Sequence, residues 1–356
     1  MSLATVSSVA SDGVGDSVGV DGLLLDFLAD KERRATGPHL PLMVRWLRGY
    51  VFGGKRFRPL MCHYGWQAAG GYGDTTAVTH VAASLELFHA FALIQDDVMD
   101  NSDTRRGAPT AHRTIAAHHA AHPSAEHVGA STAILLGDLA LGWSYDLVHA
   151  AGLEPDVDAA VWSLLDLMRT ETLTGQYLDL LATGNPDGRV EEALTICRYK
   201  TAKYTVERPL QLGAVVAGAG ADVLDACTAY GIPLGIAFQL RDDLLGVFGD
   251  PDRTGKPVLD DLRDGKPTVL MAIARQRAVG DRRRRLGRLV GDPALDERGA
   301  ARVRRILVET GARTAVEHLI AEHREQALRA LADAPFAAEP AAALGQLAHA
   351  ATSRIG

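Results

Sequence analysis

Long segments whose apolar residues recur at the period of an α-helix constrain the fold of this chain most strongly. They span residues 78–99, 133–151, 159–181, 190–216 and 223–248. Alanine and leucine dominate these segments, and convincing strands with alternating apolar and polar residues are missing. The pattern predicts an all-α protein.

Glycine, proline and small polar residues separate the helical segments, at 70–73, 107–109, 183–188 and 249–257. No shift in composition or repeat of fixed period marks a domain boundary. We therefore expect one domain over residues 21–356, with helices packed around a shared interior. Residues 1–20 have no basic stretch and are interrupted by Asp12 and Asp16. That composition is typical of a flexible tail rather than a signal peptide.

Composition limits the classes of function. A net charge of −7 is unlike that of a nucleic-acid-binding protein, and 47% hydrophobic residues suffice for a core. The three cysteines, Cys62, Cys197 and Cys227, form no CxxC pair, which fits a reducing compartment and a cytoplasmic location. No apolar run reaches the roughly 18–20 residues of a membrane span, so we expect a soluble protein without a transmembrane segment.

The sharpest motif is FHAFALIQDDVMDNSDTRRG, from Phe88 to Gly107. Asp96 and Asp100 are four residues apart, so on a helix they lie on one face, with Asp97 beside them. Carboxylates this close repel one another unless cations neutralise them, and their oxygens suit a hard ion such as Mg²⁺. Arg105 and Arg106 follow, and paired arginines suit phosphate oxygens. The motif favours a metal-dependent diphosphate site over a solvated helix end.

A second acidic pair, Asp242 and Asp243, ends another apolar segment, with Gln239 one turn earlier. Two such motifs predict helices that face each other across a cavity and share one diphosphate through bridging metals.

Three basic clusters accompany the two acidic motifs. The segment GGKRFRP places basic residues directly after two glycines, a setting that suits an anion. Two other clusters are YKTAKY and the pair TGKP and DGKP. Their basic side chains are Lys55, Arg56, Arg58, Lys200, Lys203, Lys256 and Lys266.

In order and spacing these motifs resemble the trans (E) polyprenyl diphosphate synthases, which include farnesyl and geranylgeranyl diphosphate synthases. The resemblance runs from about residue 53 to residue 266 and includes GQYLD, with Gln176 and Asp179. It implies an isoprenoid synthase-type helical bundle around a central cavity. It also implies a homodimer, Mg²⁺ with three ions as the expected number, and isopentenyl and allylic diphosphates as substrates.

The resemblance assigns a role to each matching position. The implied metal ligands are Asp96, Asp97, Asp100 and Asp242. The implied ligands of the allylic diphosphate are Arg105, Lys200 and Lys256. The implied ligands of isopentenyl diphosphate are Lys55, Arg58, His89 and Arg106. Thr201 and Gln239 are expected to line the reacting centre, and Lys266 to close over it. The second motif of the family often ends in a fifth-position aspartate, where this chain has Gly246, so we expect weaker metal affinity but surviving activity.

The implied reaction is electrophilic. Mg²⁺ and basic side chains stabilise the charge that develops on the diphosphate, so the allylic C–O bond ionises. The double bond of isopentenyl diphosphate then attacks the allylic cation, and a proton is lost.

Residues upstream of the first motif form the floor of the product tunnel in this family. Ala92 and Phe88 precede Asp96 by about 6 Å and about 12 Å of helix rise, and Phe91 lies between them. Small Ala92 leaves the tunnel open near the metals, whereas the two phenylalanines block it further down. This pattern resembles geranylgeranyl synthases and predicts a C20 product.

Other readings remain open. They are a C15 or longer product, a class I terpene cyclase, and an inactive regulatory subunit. A cyclase usually has an Asn/Asp–Ser/Thr–Glu metal triad that we do not find, and a regulatory subunit would have degenerate acidic motifs.

Overall fold

The computed structural model describes residues 18–35, 37–185, 188–249 and 259–353, and helices dominate these residues. The first helices are α1 (Val18–Arg33), α2 (His39–Val51), α3 (Phe57–Ala68) and α4 (Thr76–Met99). A hairpin of β1 (Thr104–Arg105) and β2 (Ala108–Pro109) precedes α5 (Ala111–His118), α6 (Ala125–His149) and α7 (Pro155–Ala182).

The chain continues with α8 (Val190–Ile196), a π-helix (Cys197–Glu207), α9 (Arg208–Val216) and α10 (Ala221–Phe248). The remaining helices are α11 (Asp260–Arg263), α12 (Val269–Arg277), α13 (Asp281–Leu289), α14 (Glu297–Glu309), α15 (Ala312–Ala332) and α16 (Ala338–Thr352). The all-α prediction is confirmed.

Contacts divide the described residues into two compact units, which we treat separately. The N-terminal unit comprises residues 18–161 with 209–219. Helix α4 is its centre and packs against α1, α2, α3, α5 and α6. Most of its residues are buried, which explains why its apolar residues cover more than one face. The first aspartate motif lies at the C-terminal end of this buried helix.

The C-terminal unit comprises residues 162–208 with 220–353. Its central helix, α10, packs against the π-helix, α11, α12, α15 and α16. Polar side chains fix these neighbours. The hydroxyl of Tyr230 donates to the carbonyl of Leu344 at 2.8 Å, and Arg241 forms a bidentate ion pair with Glu317 at 2.9 and 2.6 Å. The second aspartate motif lies in the last two turns of α10.

The π-helix interrupts what the sequence predicts as one helical segment over residues 190–216. Its wider backbone passes between glycines of two other helices. A Cβ atom on Gly175 of α7 would lie 2.4 Å from the amide nitrogen of Lys200. On Gly231 and Gly235 of α10, it would lie 2.8 Å and 2.4 Å from the Cα atoms of Glu207 and Ala202. Because no side chain fits at these contacts, the glycines make room for the π-helix, a feature frequent at functional sites.

Helices α4 and α10 are long and apolar enough to cross a membrane by length and composition alone, which is weak evidence for a membrane span. Both are central helices of their units, and core helices of soluble proteins meet the same criterion. Helix α1 begins at Val18, but residues 1–17 lie outside the described part of the chain, so the proposed tail and domain boundary stay predictions.

Candidate active site

The first aspartate motif occupies the last turn of α4. Asp96 lies in this turn, and Asp100 is the residue at which the helix ends. Both side chains are partly exposed, which leaves their carboxylates accessible to a metal ion. Asp97 differs, because its side chain is fully buried. Its Oδ1 accepts a hydrogen bond from Arg105 and its Oδ2 one from Tyr50, each at 2.7 Å. A direct contact between Asp97 and a metal would displace one of these donors, so this assignment stays a prediction.

A β-hairpin with a two-residue loop places Arg105 beside the first aspartate motif. Thr104 pairs with Pro109 and Arg105 with Ala108, which leaves Arg106 and Gly107 as the loop. Both loop residues have positive φ, 54° and 76°, as a type I′ turn requires. The guanidinium of Arg105 also reaches Oδ2 of Asp96 at 3.1 Å. The hairpin therefore fixes a cation beside the predicted metal ligands.

Burial shifts the acid–base properties of this cluster. It raises the pKa of Asp97 above its usual range, although Arg105 and the hydroxyl of Tyr50 favour the carboxylate. Burial and the charge of Asp97 together raise the pKa of Tyr50, so the phenol stays protonated and keeps donating. Burial also works against the charge of Arg105, but Asp97 and Asp96 outweigh it and raise the pKa of this guanidinium.

A buried ion pair anchors the GGKRFRP segment. Arg56 has φ 51° and donates from Nη1 to Oε2 of Glu86 at 2.6 Å and to the carbonyl of Val51 at 2.6 Å. It also forms an ion pair with Asp21. Because breaking a buried pair is costly, Arg56 holds the loop in place rather than acting as a free anion ligand. Its neighbour Lys55 is exposed and Arg58 is buried.

Arg106 and His89 lie in the same positive region. Gly54 brings the loop backbone close to the guanidinium of Arg106, since a Cβ there would lie 3.5 Å from Nη2. Burial and then Arg58 and Arg106 lower the pKa of His89 well below its usual range, so its imidazole is neutral at physiological pH. Burial also lowers the pKa of Arg106, partly offset by Glu86. The structure thus brings the predicted isopentenyl diphosphate ligands Arg58, His89 and Arg106 within electrostatic reach of one another.

The predicted chain-length residues lie upstream on α4. Phe88 and Phe91 are 2% and 5% exposed, and their rings meet edge to face with centroids 5.5 Å apart. Ala92 is only partly buried. The two rings form one rigid apolar contact below the acidic end of the helix.

In the C-terminal unit, the π-helix and α10 present a second polar cluster. Nζ of Lys200 lies 2.5 Å from Oδ2 of Asp179, the α7 aspartate of GQYLD. The hydroxyl of Thr201 donates to Oε1 of Gln239 at 2.8 Å, and Nε2 of Gln239 donates to Oδ1 of Asp243 at 2.7 Å. Adjacent residues of the π-helix therefore contact two different helices: Lys200 contacts α7 and Thr201 contacts α10.

Asp242 and Asp243 differ in environment. Asp242 is partly exposed and Asp243 is buried. Burial, together with the nearby charges of Asp261 and Asp242, raises the pKa of Asp243 to about 7, although Gln239 favours the carboxylate. Of the pair, Asp242 is therefore the better candidate ligand, as predicted.

Gly246, the departure from the family pattern, has a structural consequence that the sequence did not reveal. A Cβ at this position would lie 2.0 Å from Oδ2 of Asp261. The carboxylate of Asp261, from α11, thus occupies the space that a fifth-position aspartate would need. Its other oxygen lies 3.2 Å from Nζ of Lys266, the residue predicted to close over the site.

Some residues of these clusters belong to none of the motifs recognised in the sequence. Glu86 is a carboxylate in the largely apolar part of α4 that precedes the aspartate motif, a pattern that signals a buried cationic partner. Asp261 belongs to an acidic pair just before Lys266, and this pair also indicated a polar site. No sequence pattern indicated the role of Tyr50. Gln176 lies on α7, and Lys256 lies outside the described residues, so the roles of both stay predictions.

The donor set of both motifs fits a hard divalent cation. Asp96, Asp100 and Asp242 offer only carboxylate oxygens, and Mg²⁺ is usually held by one or two carboxylates with water and substrate phosphates. Among the described residues, no three His, Cys, Asp or Glu side chains converge closely enough to hold an ion by themselves.

An all-α fold with an acidic helix end, a cation held beside it and a separate lysine–threonine–glutamine cluster fits a helical enzyme that acts on a diphosphate. The polyprenyl synthetase profile matches residues 41–307, and the chain belongs to this family. The chain is a transferase, a trans-prenyltransferase of the short-chain isoprenyl diphosphate synthase type.

The relatives differ in product length. The chain is 34% identical to the geranylfarnesyl diphosphate synthase of Aeropyrum pernix, over 82% of this chain and 85% of the relative. It is 33% identical to the (2E,6E)-farnesyl diphosphate synthase of Mycobacterium tuberculosis, over 83% and 78%. Among solved structures, it resembles a geranylgeranyl pyrophosphate synthase from Corynebacterium glutamicum, complexed with isoprenyl diphosphate and magnesium. This likeness has a TM-score of 0.91 and 41% identity, over 95% of this chain and 98% of that one.

Proposed function

We propose that the protein is a Mg²⁺-dependent geranylgeranyl diphosphate synthase, which condenses isopentenyl diphosphate with allylic diphosphates head to tail to a C20 product. The observation that supports the proposed chain length is the buried Phe88–Phe91 contact on the helix whose last turn contains Asp96. A chain growing along this face of α4 would meet Phe88 after about 12 Å of helix rise. Ala92, closer to the motif, leaves room for it.

The relatives support a short-chain product without choosing its length. The Corynebacterium structure is named for the C20 product, whereas the two other relatives are named for a C15 and a C25 product. A C15 or a longer product is therefore the alternative outcome of the test below.

In the N-terminal unit, Asp96 and Asp100 hold Mg²⁺ with the allylic diphosphate, and Arg105 contacts the same diphosphate. Asp97 and Tyr50 keep the guanidinium of Arg105 in place. Lys55, Arg58, Arg106 and His89 bind isopentenyl diphosphate. Because His89 is neutral, it forms hydrogen bonds to the diphosphate without adding charge.

In the C-terminal unit, Asp242 is the proposed metal ligand, and three ions are expected in all. Lys200 and Lys256 contact the allylic diphosphate, and Lys266 closes over it. Mg²⁺, when bound, neutralises negative charge on the leaving diphosphate. Lys200 and Arg105 donate hydrogen bonds to that group as the allylic C–O bond breaks. Thr201 and Gln239, held to each other, line the reacting centre.

The carbon skeleton forms next. The double bond of isopentenyl diphosphate attacks the allylic cation, a C–C bond forms, and a proton leaves for the released diphosphate. The apolar side chains around the centre exclude water, which would otherwise quench the cation.

We also propose a cytoplasmic homodimer. Helix α6 exposes Ile134 and Leu135, and α7 exposes Leu173, Tyr177 and Leu181 along one face at intervals of four. Exposed apolar stripes of this kind favour burial against a second copy. The three free, buried cysteines fit a reducing compartment.

The test incubates the purified protein with Mg²⁺, isopentenyl diphosphate and, separately, dimethylallyl, geranyl or farnesyl diphosphate, and sizes the dephosphorylated products. We expect a C20 alcohol from all three. A main product of C15, C25 or longer would overturn the assigned length. Products formed from one allylic diphosphate alone would indicate a cyclase instead.

A further inference from the structure

The C-terminal unit contains a cavity of about 400 Å³ whose described lining includes none of the predicted substrate residues. The π-helix, α10 and α15 form its walls. A volume of this size lies within the range of small-molecule sites. The cavity is therefore a candidate for a second ligand.

Its apolar wall is one face of α10. Ala229, Ile232, Pro233 and Ile236 all line the cavity, and their spacing of three, four and seven residues places them in a row along the helix. A row of this kind suits an extended apolar chain that lies along the helix.

Among the described residues that line its polar wall, two are cationic, Arg198 and Lys203, and one is anionic, Glu207. Lys203 pairs with Glu171 at 2.7 Å and with Glu207 at 3.3 Å, and Arg208 pairs with Glu171 at 2.7 Å. These two cations and two carboxylates cancel. Arg198 also lines the cavity, and within the described part of the chain no carboxylate lies at ion-pair distance from its guanidinium. Of these side chains, Arg198 is therefore the one that favours an anion.

His323 on α15 adds no charge to this wall. Burial lowers its pKa and the positive charge of the nearby Arg198 lowers it further, although the hydrogen bond with Gln326 and the negative charge of Glu322 oppose the shift. Its Nδ1 lies 3.1 Å from Oε1 of Gln326. At physiological pH the imidazole is a neutral polar group, so Arg198 is the cation at this edge of the cavity.

We propose that this cavity binds an amphiphilic anion, with its apolar chain along α10 and its anionic group at Arg198. Prenyl phosphates are the molecules of this class that the protein meets as substrates and products, so this choice of ligand rests on the proposed function. Arg198 and Lys203 belong to the π-helix that also carries Lys200 and Thr201. A bound prenyl phosphate therefore contacts the same segment as the predicted catalytic residues.

The test is photo-cross-linking of the full-length protein with a benzophenone-bearing analogue of farnesyl monophosphate, followed by mass spectrometry of the labelled peptides. We expect label within residues 229–236 or 323–326. Farnesyl monophosphate should suppress it, while farnesol, which has no anion, and inorganic phosphate, which has no chain, should suppress it far less. Equal suppression by farnesol would overturn the assigned anion contact.

Substitutions in the cavity and outside it test where the label binds. Arg198→Glu reverses the charge and Ala229→Trp fills the cavity, and each should reduce the label roughly tenfold. Arg288→Glu, an exposed arginine of α13, is the charge control and should leave it unchanged. Asp96→Asn, in the predicted substrate site, should also leave it unchanged. Circular dichroism checks that each variant is folded.

Two results would overturn the proposal: label found only outside these segments, or label that Arg198→Glu and Ala229→Trp leave intact in folded protein. Labelling requires no turnover. A protein that is labelled in the cavity but elongates no prenyl chain would contradict the proposed function alone.

Discussion

The hydroxyl of Tyr50 donates a 2.7 Å hydrogen bond to the buried carboxylate of Asp97 and accepts one from the backbone N–H of Ala111 at 2.7 Å. One phenol thus connects α2 with the acidic end of α4 and with the start of α5. Its partner Asp97 in turn holds Arg105. The orientation of Arg105 therefore depends on a tyrosine that belongs to none of the recognised motifs.

Replacing Tyr50 by phenylalanine removes one donor from a buried carboxylate. We expect the free energy of unfolding to fall by about 1–3 kcal/mol, because Asp97 keeps its burial but loses a hydrogen bond. Urea denaturation measures this change. The matched control is Tyr72→Phe, since Tyr72 is 90% exposed. Equal effects of the two substitutions would contradict the role given to Tyr50.

The neutral state of His89 predicts a pH dependence of stability. Its folded pKa lies below the unfolded value of about 6.5, so below that pH the unfolded chain binds a proton that the folded protein does not. Stability should therefore fall as the pH drops below 6.5, with a contribution of up to about 1.4 kcal/mol per pH unit. In His89→Gln this contribution should vanish, while His127→Gln, at an exposed position, should retain it. Denaturation between pH 7.5 and 5.5 compares them, and identical profiles would refute the buried neutral imidazole.

The contact between Gly246 and Asp261 predicts that even a methyl group is harmful at residue 246. Gly246→Ala should lower stability by up to about 1 kcal/mol relative to an unobstructed helical Gly→Ala substitution, because the new Cβ displaces the partly exposed carboxylate that pairs with Lys266. In an Asp261→Ala background the same substitution should be mild.

Gly142→Ala is the control, because Gly142 is helical and has no atom within 4 Å of a new Cβ. It should be neutral or stabilise by up to about 1 kcal/mol. If thermal unfolding shows Gly246→Ala to be as mild as Gly142→Ala, Asp261 does not fill this space.

The two phenylalanines of α4 predict product length. Phe88→Ala and Phe91→Ala, singly and together, should shift the products beyond C20, because each removes a ring from the proposed floor of the tunnel. Product sizing with farnesyl diphosphate measures the shift. Leu136→Ala in α6 also shortens a fully buried side chain and should leave product length unchanged. An unaltered product spectrum in the folded double variant would refute the floor.

Elements that depend on local periodicity were predictable from the sequence. The predicted segments 78–99 and 223–248 correspond closely to α4 and α10, including the acidic ends that carry the candidate site. Helix α10 persists through Pro233, so its apolar pattern and packing outweigh one lost hydrogen bond.

What the sequence could not reveal depends on contacts between distant segments. The segment 190–216 was predicted as one continuous helix, but its central turns are a π-helix because Gly175, Gly231 and Gly235 admit the wider backbone. Likewise, Gly246 suggested a weakened motif, whereas the structure places the carboxylate of Asp261 over it. The position of the Asp261 carboxylate depends on how the helices pack, and the sequence alone does not show this packing.

The most direct test measures chain elongation by the purified protein, given isopentenyl diphosphate, an allylic diphosphate and Mg²⁺. We predict prenyl diphosphates longer than the allylic substrate, their loss on chelation of the metal, and a loss of at least about a hundredfold in Asp96→Asn, which weakens a metal ligand. Absence of elongation with dimethylallyl, geranyl and farnesyl diphosphate alike would contradict the account.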